Sequence, residues 1–196
     1  MTATRAILEE GDAELLTMAA VARRAGVSRR AVYLHFASRA ELLTSLFGFV
    51  NEAESLAASL DAVWQAVDAD AALEEWARHI ARFHPHVLAI ARAIQRVRRI
   101  DPDAEEHWQL VAADQYACCR RLVARLSDEG RLAVPWTVES GADMMWALMS
   151  FEMLEELLVD RGWSVERFRV HLAALLAATF LDPAHRRHPD QPPTRG

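Results

Sequence analysis

Helix-start signals recur along this chain at short intervals. Most are followed by apolar residues three and four apart, a pattern that commits the sequence to a stack of helices. Thr17, Ser28, Thr137 and Ser164 each offer a side-chain oxygen to the orphan amide hydrogens of a first turn. Ser38 and Glu41 match the capping box S-x-x-E just ahead of Leu42-Leu43. Asp101-Pro102 places a capping carboxylate before a ring that suits the first helical position. No period-two alternation is long enough to propose a sheet, so the expected fold class is all-α.

These signals set the expected elements. Thr2 to Glu10 forms a short helical segment stopped by Gly11, and Thr17 caps a helix through Arg24. Ala25-Gly26-Val27 interrupts, with Gly26 suited to a backbone position other residues resist. Ser28 caps a short helix from Arg29 to about Phe36, and the next helix runs from the Ser38 box to about Ser59. Asp68 to Phe83 is amphipathic through Leu73, Trp76, Ala77, Ile80 and Phe83. His84-Pro85 is expected to break or kink it, with a separate helix from Val87 to Arg98. A helix from Asp101 to about Ser127 ends before Gly130. Another runs from Thr137 to about Asp160, ended by Gly162, and the last from Ser164 to about Leu181. Trp163 and Phe168 stand where a hydrophobic staple would close around the Ser164 cap. Residues 184–196 carry three prolines and no apolar period, and disorder is expected there.

Composition narrows the function classes. No window of about 18 uninterrupted apolar residues occurs, so a membrane span is not expected. MTATRAILEEG has no apolar stretch before a cleavage site, so no secretory signal is expected. Cys118 and Cys119, the only cysteines, are adjacent; they suit a reducing cytoplasm and no disulfide framework. No glycine-rich phosphate loop, nucleophile elbow or paired His and acid cluster appears, so no catalysis and no cofactor are expected. His84-x-His86 is a weak metal pattern, and no metal site is expected.

The net charge of −6 argues weakly against nucleic acid, but its distribution argues the other way. Residues 1–40 carry six arginines against four acids; residues 41–196 carry sixteen against twenty-four. Every base is Arg, and from Leu15 to Ala40 no acid occurs. Positive charge gathered on one short element lets an acidic protein grip phosphate. The two short helices around Gly26 suggest a helix-turn-helix, with Val21, Ala22, Ala25, Val27, Val32 and Phe36 as its small core. The second helix of such a pair enters the major groove and would bring Arg29, Arg30, Tyr33 and His35 to DNA, with Ser28 at its start facing a phosphate.

Thr17 to Leu43, TMAAVARRAGVSRRAVYLHFASRAELL, closely resembles the TetR family of bacterial transcription regulators. The resemblance rests on Ala25-Gly26-Val27-Ser28, Tyr33-Leu34-His35-Phe36 and Ser38-Arg39-Ala40-Glu41-Leu42. It implies a homodimer that reads a palindromic operator, most often to repress, and leaves DNA when a small molecule binds its C-terminal domain. It also implies that Tyr33 touches a phosphate through its hydroxyl, that Arg39 stands where the family usually has a phosphate-contacting Lys, and that Thr17 can donate to a phosphate. Members usually have a first helix of more than three turns, whereas only ten residues precede Gly11 here; either the helix is trimmed or the true start lies upstream. Activation instead of repression, or a helical interaction protein without DNA binding, are the alternatives.

The expected domains are 1–45, the helix-turn-helix head; 46–182, a helical ligand-binding and dimerisation domain; and 183–196, a tail. Trp64, Trp76, Phe83 and Trp108 are candidate walls of a ligand cavity, together with Tyr116, Trp146 and Met149. His79, with His84, His86 and His107, could be a polar partner there, and such walls suit an apolar or aromatic effector. The last two helices are the most apolar. The resemblance makes them a four-helix bundle between two copies, through Leu154, Leu157 and Leu158 on one helix and Phe168, Leu172, Leu175, Leu176 and Thr179 on the other.

Overall fold

The computed structural model describes residues 17–53 and 55–185, and helices are numbered here from the first described one. Helix α1, Met18–Ala25, begins where Thr17 accepts a hydrogen bond from the Ala20 amide (3.1 Å) and ends at Gly26, whose φ of 68° only glycine adopts freely. Helix α2, Arg29–His35, is capped by Ser28 on the Ala31 amide (3.1 Å). Helix α3, Arg39–Ala53, opens on half of the anticipated box: the Glu41 amide donates to Ser38 Oγ (3.0 Å), while the Glu41 carboxylate accepts from the amide of Ala37 (2.6 Å), one residue ahead of the cap.

Sequence and structure first part company after Ala53. The helix expected to reach Ser59 stops there, Ser55 takes a left-handed φ of 54°, and a separate helix α4 spans Leu56–Trp64. Neither Gly nor Pro marks this turn. Helix α5, Ala69–Val97, corrects the expectation in the opposite sense, because it runs unbroken through Pro85. Proline removes one intrahelical amide there, but Trp76, Ala77 and Ile80 before it and Val87, Ile90 and Ile94 after it are all buried, and tertiary packing holds both halves. Helix α6, Pro102–Asp128, starts at the Asp101 cap. The single helix expected over 137–160 is divided. Helix α7 is Val138–Ala147, and Ser150 then recaps a five-residue helix α8, Phe151–Glu155, by accepting from the Met153 amide (3.3 Å). A wide π turn, Glu156–Asp160, follows. Helix α9, Val165–Phe180, is capped by Ser164, and a 3₁₀ turn, Pro183–His185, closes the described chain. The segment from Thr2 to Glu10 and the tail beyond 185 lie outside the described residues.

Two apolar cores lie side by side. The first joins Val21, Ala22 and Val32 of the head to Leu43, Leu46 and Phe47 of α3 and to the second half of α5. The second joins the first half of α5 to α6, α7 and α9 through Trp76, Ile80, Leu122, Met145 and Leu176. Helix α5 therefore belongs to both, and the joint falls near Pro85. Of the expected head core, Phe36 is half-buried, whereas Ala25 and Val27 are exposed. They sit on the turn around Gly26, past the last packed layer of α1. Helix α7 meets α6 closely at Gly141, where a β-carbon would lie 2.8 Å from a Val123 methyl. Ion pairs clamp the periphery: the Arg131 guanidinium forks onto the Asp70 carboxylate, and Arg92 reaches Glu155 (2.6 Å) across α5 and α8. Among the described residues, no helix is long and apolar enough to cross a membrane.

Candidate nucleic-acid interface and ligand cavity

Helix α2 stands clear of the body. Ser28, Arg29, Arg30, Tyr33 and His35 are all exposed, and only Val32 of this helix is buried. Tyr33 keeps 46% of its surface open, and the Arg29 guanidinium lies 5.7 Å from its ring centroid. The half-open ring thus has a cation beside it at the surface. Exposed Arg23 and Arg24 of α1 extend the same basic stretch, in which no acid occurs before Glu41. Thr17, also exposed, spends its oxygen as an acceptor on α1, which leaves its hydroxyl hydrogen to donate. Arg39 is half-buried in the first turn of α3.

A cavity of about 410 Å³ opens between α3, α4, α5, α6 and α8, at the joint of the two cores. It gathers Trp76, His79 and Phe83 from the expected walls, together with His84 and His107. Its remaining lining includes Thr44, Phe47, Gly48 and Asn51 of α3, Leu56 and Leu60 of α4, Gln115 and Cys118 of α6, and Phe151. Sequence reasoning passed over these because α4 was not foreseen and α3 carries no aromatic run. A signal existed in the helical spacing of Thr44, Phe47, Gly48 and Asn51, which sets all four on one face. A second cavity of about 210 Å³ adjoins, sharing Val111, Gln115 and Phe151. Trp108, Trp146 and Met149 line that one instead. Trp64 and Tyr116 line neither. The Trp64 ring is covered by the Arg121 guanidinium at 4.0 Å, and the Tyr116 hydroxyl donates to Asp143 (3.1 Å).

The cavity is electrically quiet. His79 stacks on Phe83 (5.7 Å, 10°) and shares a 2.8 Å hydrogen bond with Ser59. Burial, helped by nearby Arg82, lowers its pKa to about 4. Burial, helped by His79, lowers that of His84 to about 3. Both rings are neutral at pH 7. His86 points the other way, to the surface, so the His84-x-His86 pair is split between two faces of α5. Among the described residues no group of three potential ligands converges on a metal position. Burial pushes the Cys119 thiol up to about 12 and the Cys118 thiol upward as well, so both stay protonated at neutral pH.

The expected dimer residues separate into two sets. Leu154, Phe168, Leu172 and Leu176 are buried within the single chain, in the second core, and Leu157 and Leu158 pack half-buried against it. The buried Leu154, Phe168, Leu172 and Leu176 serve the chain's own core, which corrects their assignment to an intersubunit face, whereas Leu157 and Leu158 keep part of their surface open. Leu175 remains 42% exposed and Thr179 half-exposed. With Val170, Ala174 and Ala178, Leu175 forms an open apolar stripe along α9.

Residues 1–46 match the family model described as bacterial regulatory proteins, tetR family. No curated protein matches the sequence. Among solved structures, a transcriptional regulator from Saccharomonospora viridis in complex with choline superposes with a TM-score of 0.73 at 17% identity, covering 92% of this chain and 94% of that one. The SmeT–triclosan complex gives 0.68 at 17%, covering 98% and 94%. The TetR-family regulator PfmR from Thermus thermophilus gives 0.62 at 17%, covering 89% and 92%. Residues 1–46 thus carry a head of the tetR type, and the chain shares its fold with these regulators across about nine-tenths of its length.

Proposed function

We propose that this protein is a ligand-responsive transcriptional repressor that binds a palindromic operator as a homodimer and leaves it when a small molecule enters the cavity between α3 and α6. One observation carries the proposal: helix α3 begins against the DNA-reading head and, within about four turns, supplies Thr44, Phe47, Gly48 and Asn51 to the cavity wall. A ligand that fits best when α3 is tilted shifts the population of head orientations, and its leverage equals its preference between the two states. Arg29 and Arg30 are the groove-facing cations, and Tyr33 and Thr17 offer hydroxyls to phosphates. The exposed stripe on α9, centred on Leu175, is the face that meets a second copy. Two structures of the same fold hold small molecules, choline and triclosan, which supports a ligand-binding role for the cavity.

Selection of the purified protein against randomised duplexes tests the proposal. A dyad-symmetric motif with half-sites about one helical turn apart is expected. Enrichment of no motif, or of an asymmetric one bound by a monomer, contradicts it.

A further inference from the structure

Four side-chain atoms on the lining of the larger cavity are buried without a hydrogen-bond partner: Asn51 Oδ1, Trp76 Nε1, His84 Nδ1 and His107 Nε2. Buried polar atoms are normally paired, and each exception needs an explanation. Four on one cavity form a pattern of demands. The Trp76 indole N–H can only donate. The Gln115 amide nitrogen donates to His84 Nε2 (3.3 Å), so the proton of that neutral ring sits on Nδ1, which also donates. Asn51 Oδ1 can only accept. The site therefore calls for a molecule with at least one acceptor and one donor, as a hydroxyl or a primary amide provides.

Shape and charge restrict it further. His79, Phe83 and Trp76 make a continuous aromatic wall, with His79 stacked on Phe83 and 5.3 Å from Trp76. Phe151 lies 5.5 Å from His84, and Phe47 meets His107 edge-on at 5.4 Å. Flat rings complement such faces. Among the described lining residues Asp114 alone is formally charged, and it is exposed. None of them offers a buried ion to pair with a charge, and a buried unpaired charge is strongly disfavoured.

We infer that the cavity takes an uncharged, planar aromatic compound bearing a hydroxyl or amide group, its rings against Trp76 and Phe83 and its polar group on Asn51, Trp76 and His84. This rests on the ligand-responsive reading above only for its regulatory consequence, since binding can be measured without DNA.

Four naphthalene derivatives of one shape separate the possibilities in titration calorimetry on the full chain: 1-naphthol, naphthalene, 1-naphthoate and trimethyl(1-naphthyl)ammonium. The inference requires 1-naphthol to bind most tightly, with naphthalene weaker by about three- to tenfold, the worth of one hydrogen bond. Tightest binding of the ammonium ion overturns it in favour of a cation recognised by aromatic faces and Asp114. Tightest binding of naphthoate, or no detectable binding of 1-naphthol at millimolar concentration, also overturns it. Asn51→Leu supplies the second arm. It should reduce 1-naphthol affinity by roughly three- to tenfold and leave naphthalene affinity unchanged, a split that misfolding cannot produce. Equal loss for both compounds contradicts the assigned role of Asn51. If 1-naphthol binds but leaves duplex affinity unaltered, the ligand class stands and the regulatory reading fails.

Discussion

Single side chains decide how the head reads DNA and how the core answers acid. Arg30 lies exposed on α2 with no acid nearby in sequence, free to fork onto a guanine edge. Arg30→Ala is expected to cost about 1–3 kcal/mol at one base-pair position of each half-site, read from affinities for single-base operator variants. Uniform weakening across all variants would move Arg30 to the phosphate backbone. Tyr33→Phe should weaken binding evenly, because a phosphate contact carries no sequence information. In the core, His79 and His84 are neutral in the folded chain, with pKa values lowered to about 4 and about 3 from 6.5. The unfolded chain then binds more protons below pH 6.5. Stability is fully present above that value and declines as pH falls toward the folded values, by on the order of a few kcal/mol. The paired carboxylates Glu105, Glu129 and Glu166, all held below their ordinary 4.5, add their loss only lower down. Urea midpoints should therefore fall between pH 6.5 and 4.5, and His84→Gln should flatten that slope. A flat wild-type profile in this window contradicts the buried neutral pair.

At the scale of elements, local chemistry announced itself and long-range packing did not. Thr17, Ser28, Asp101, Thr137 and Ser164 cap where the sequence says they should, because a capping bond spans only three residues. The turn at Ser55 carries no glycine, and the break after Ala147 has only Ser150 to mark it, so α4 and α8 were hidden. Pro85 misled in the reverse direction, since the cost of a proline was weighed without the two cores that clasp α5 on either side of it. The cavity shared this fate: its aromatic wall on α5 was legible from period, but its α3 and α4 sides depend on how helices meet. Close approach gives a sharp test at Gly141. Gly141→Val should destabilise by about 1–3 kcal/mol, because the new side chain would overlap the buried Val123 methyl. Gly48→Ala, in the interior of α3 with open space around its β-carbon, should instead stabilise by about 0.5–1 kcal/mol. Thermal midpoints moving in the same direction for both would refute this account of the packing.

Across the whole molecule, the open stripe on α9 is the proposed face through which a second copy would add a second basic head. Leu175 and Leu176 are neighbours in sequence with opposite duties, the first exposed and the second fully buried in the chain's own core. Leu175→Arg should yield folded monomers by light scattering, with unchanged helicity, whereas Leu176→Ala should cost about 2–5 kcal/mol of stability through the cavity it leaves. A Leu175→Arg chain that remains dimeric would place the interface elsewhere. The central claim, that two heads stand one duplex turn apart and that the cavity sets their spacing through α3, is open to one direct measurement. Spin labels at His35→Cys, in a chain with Cys118 and Cys119 changed to Ala, report the distance between the two α2 helices of a dimer. A mean near the helical repeat of about 34 Å is expected on operator DNA, with a displaced distribution when 1-naphthol fills the cavity. A distribution far from one turn, or one that the ligand leaves unmoved, contradicts the account.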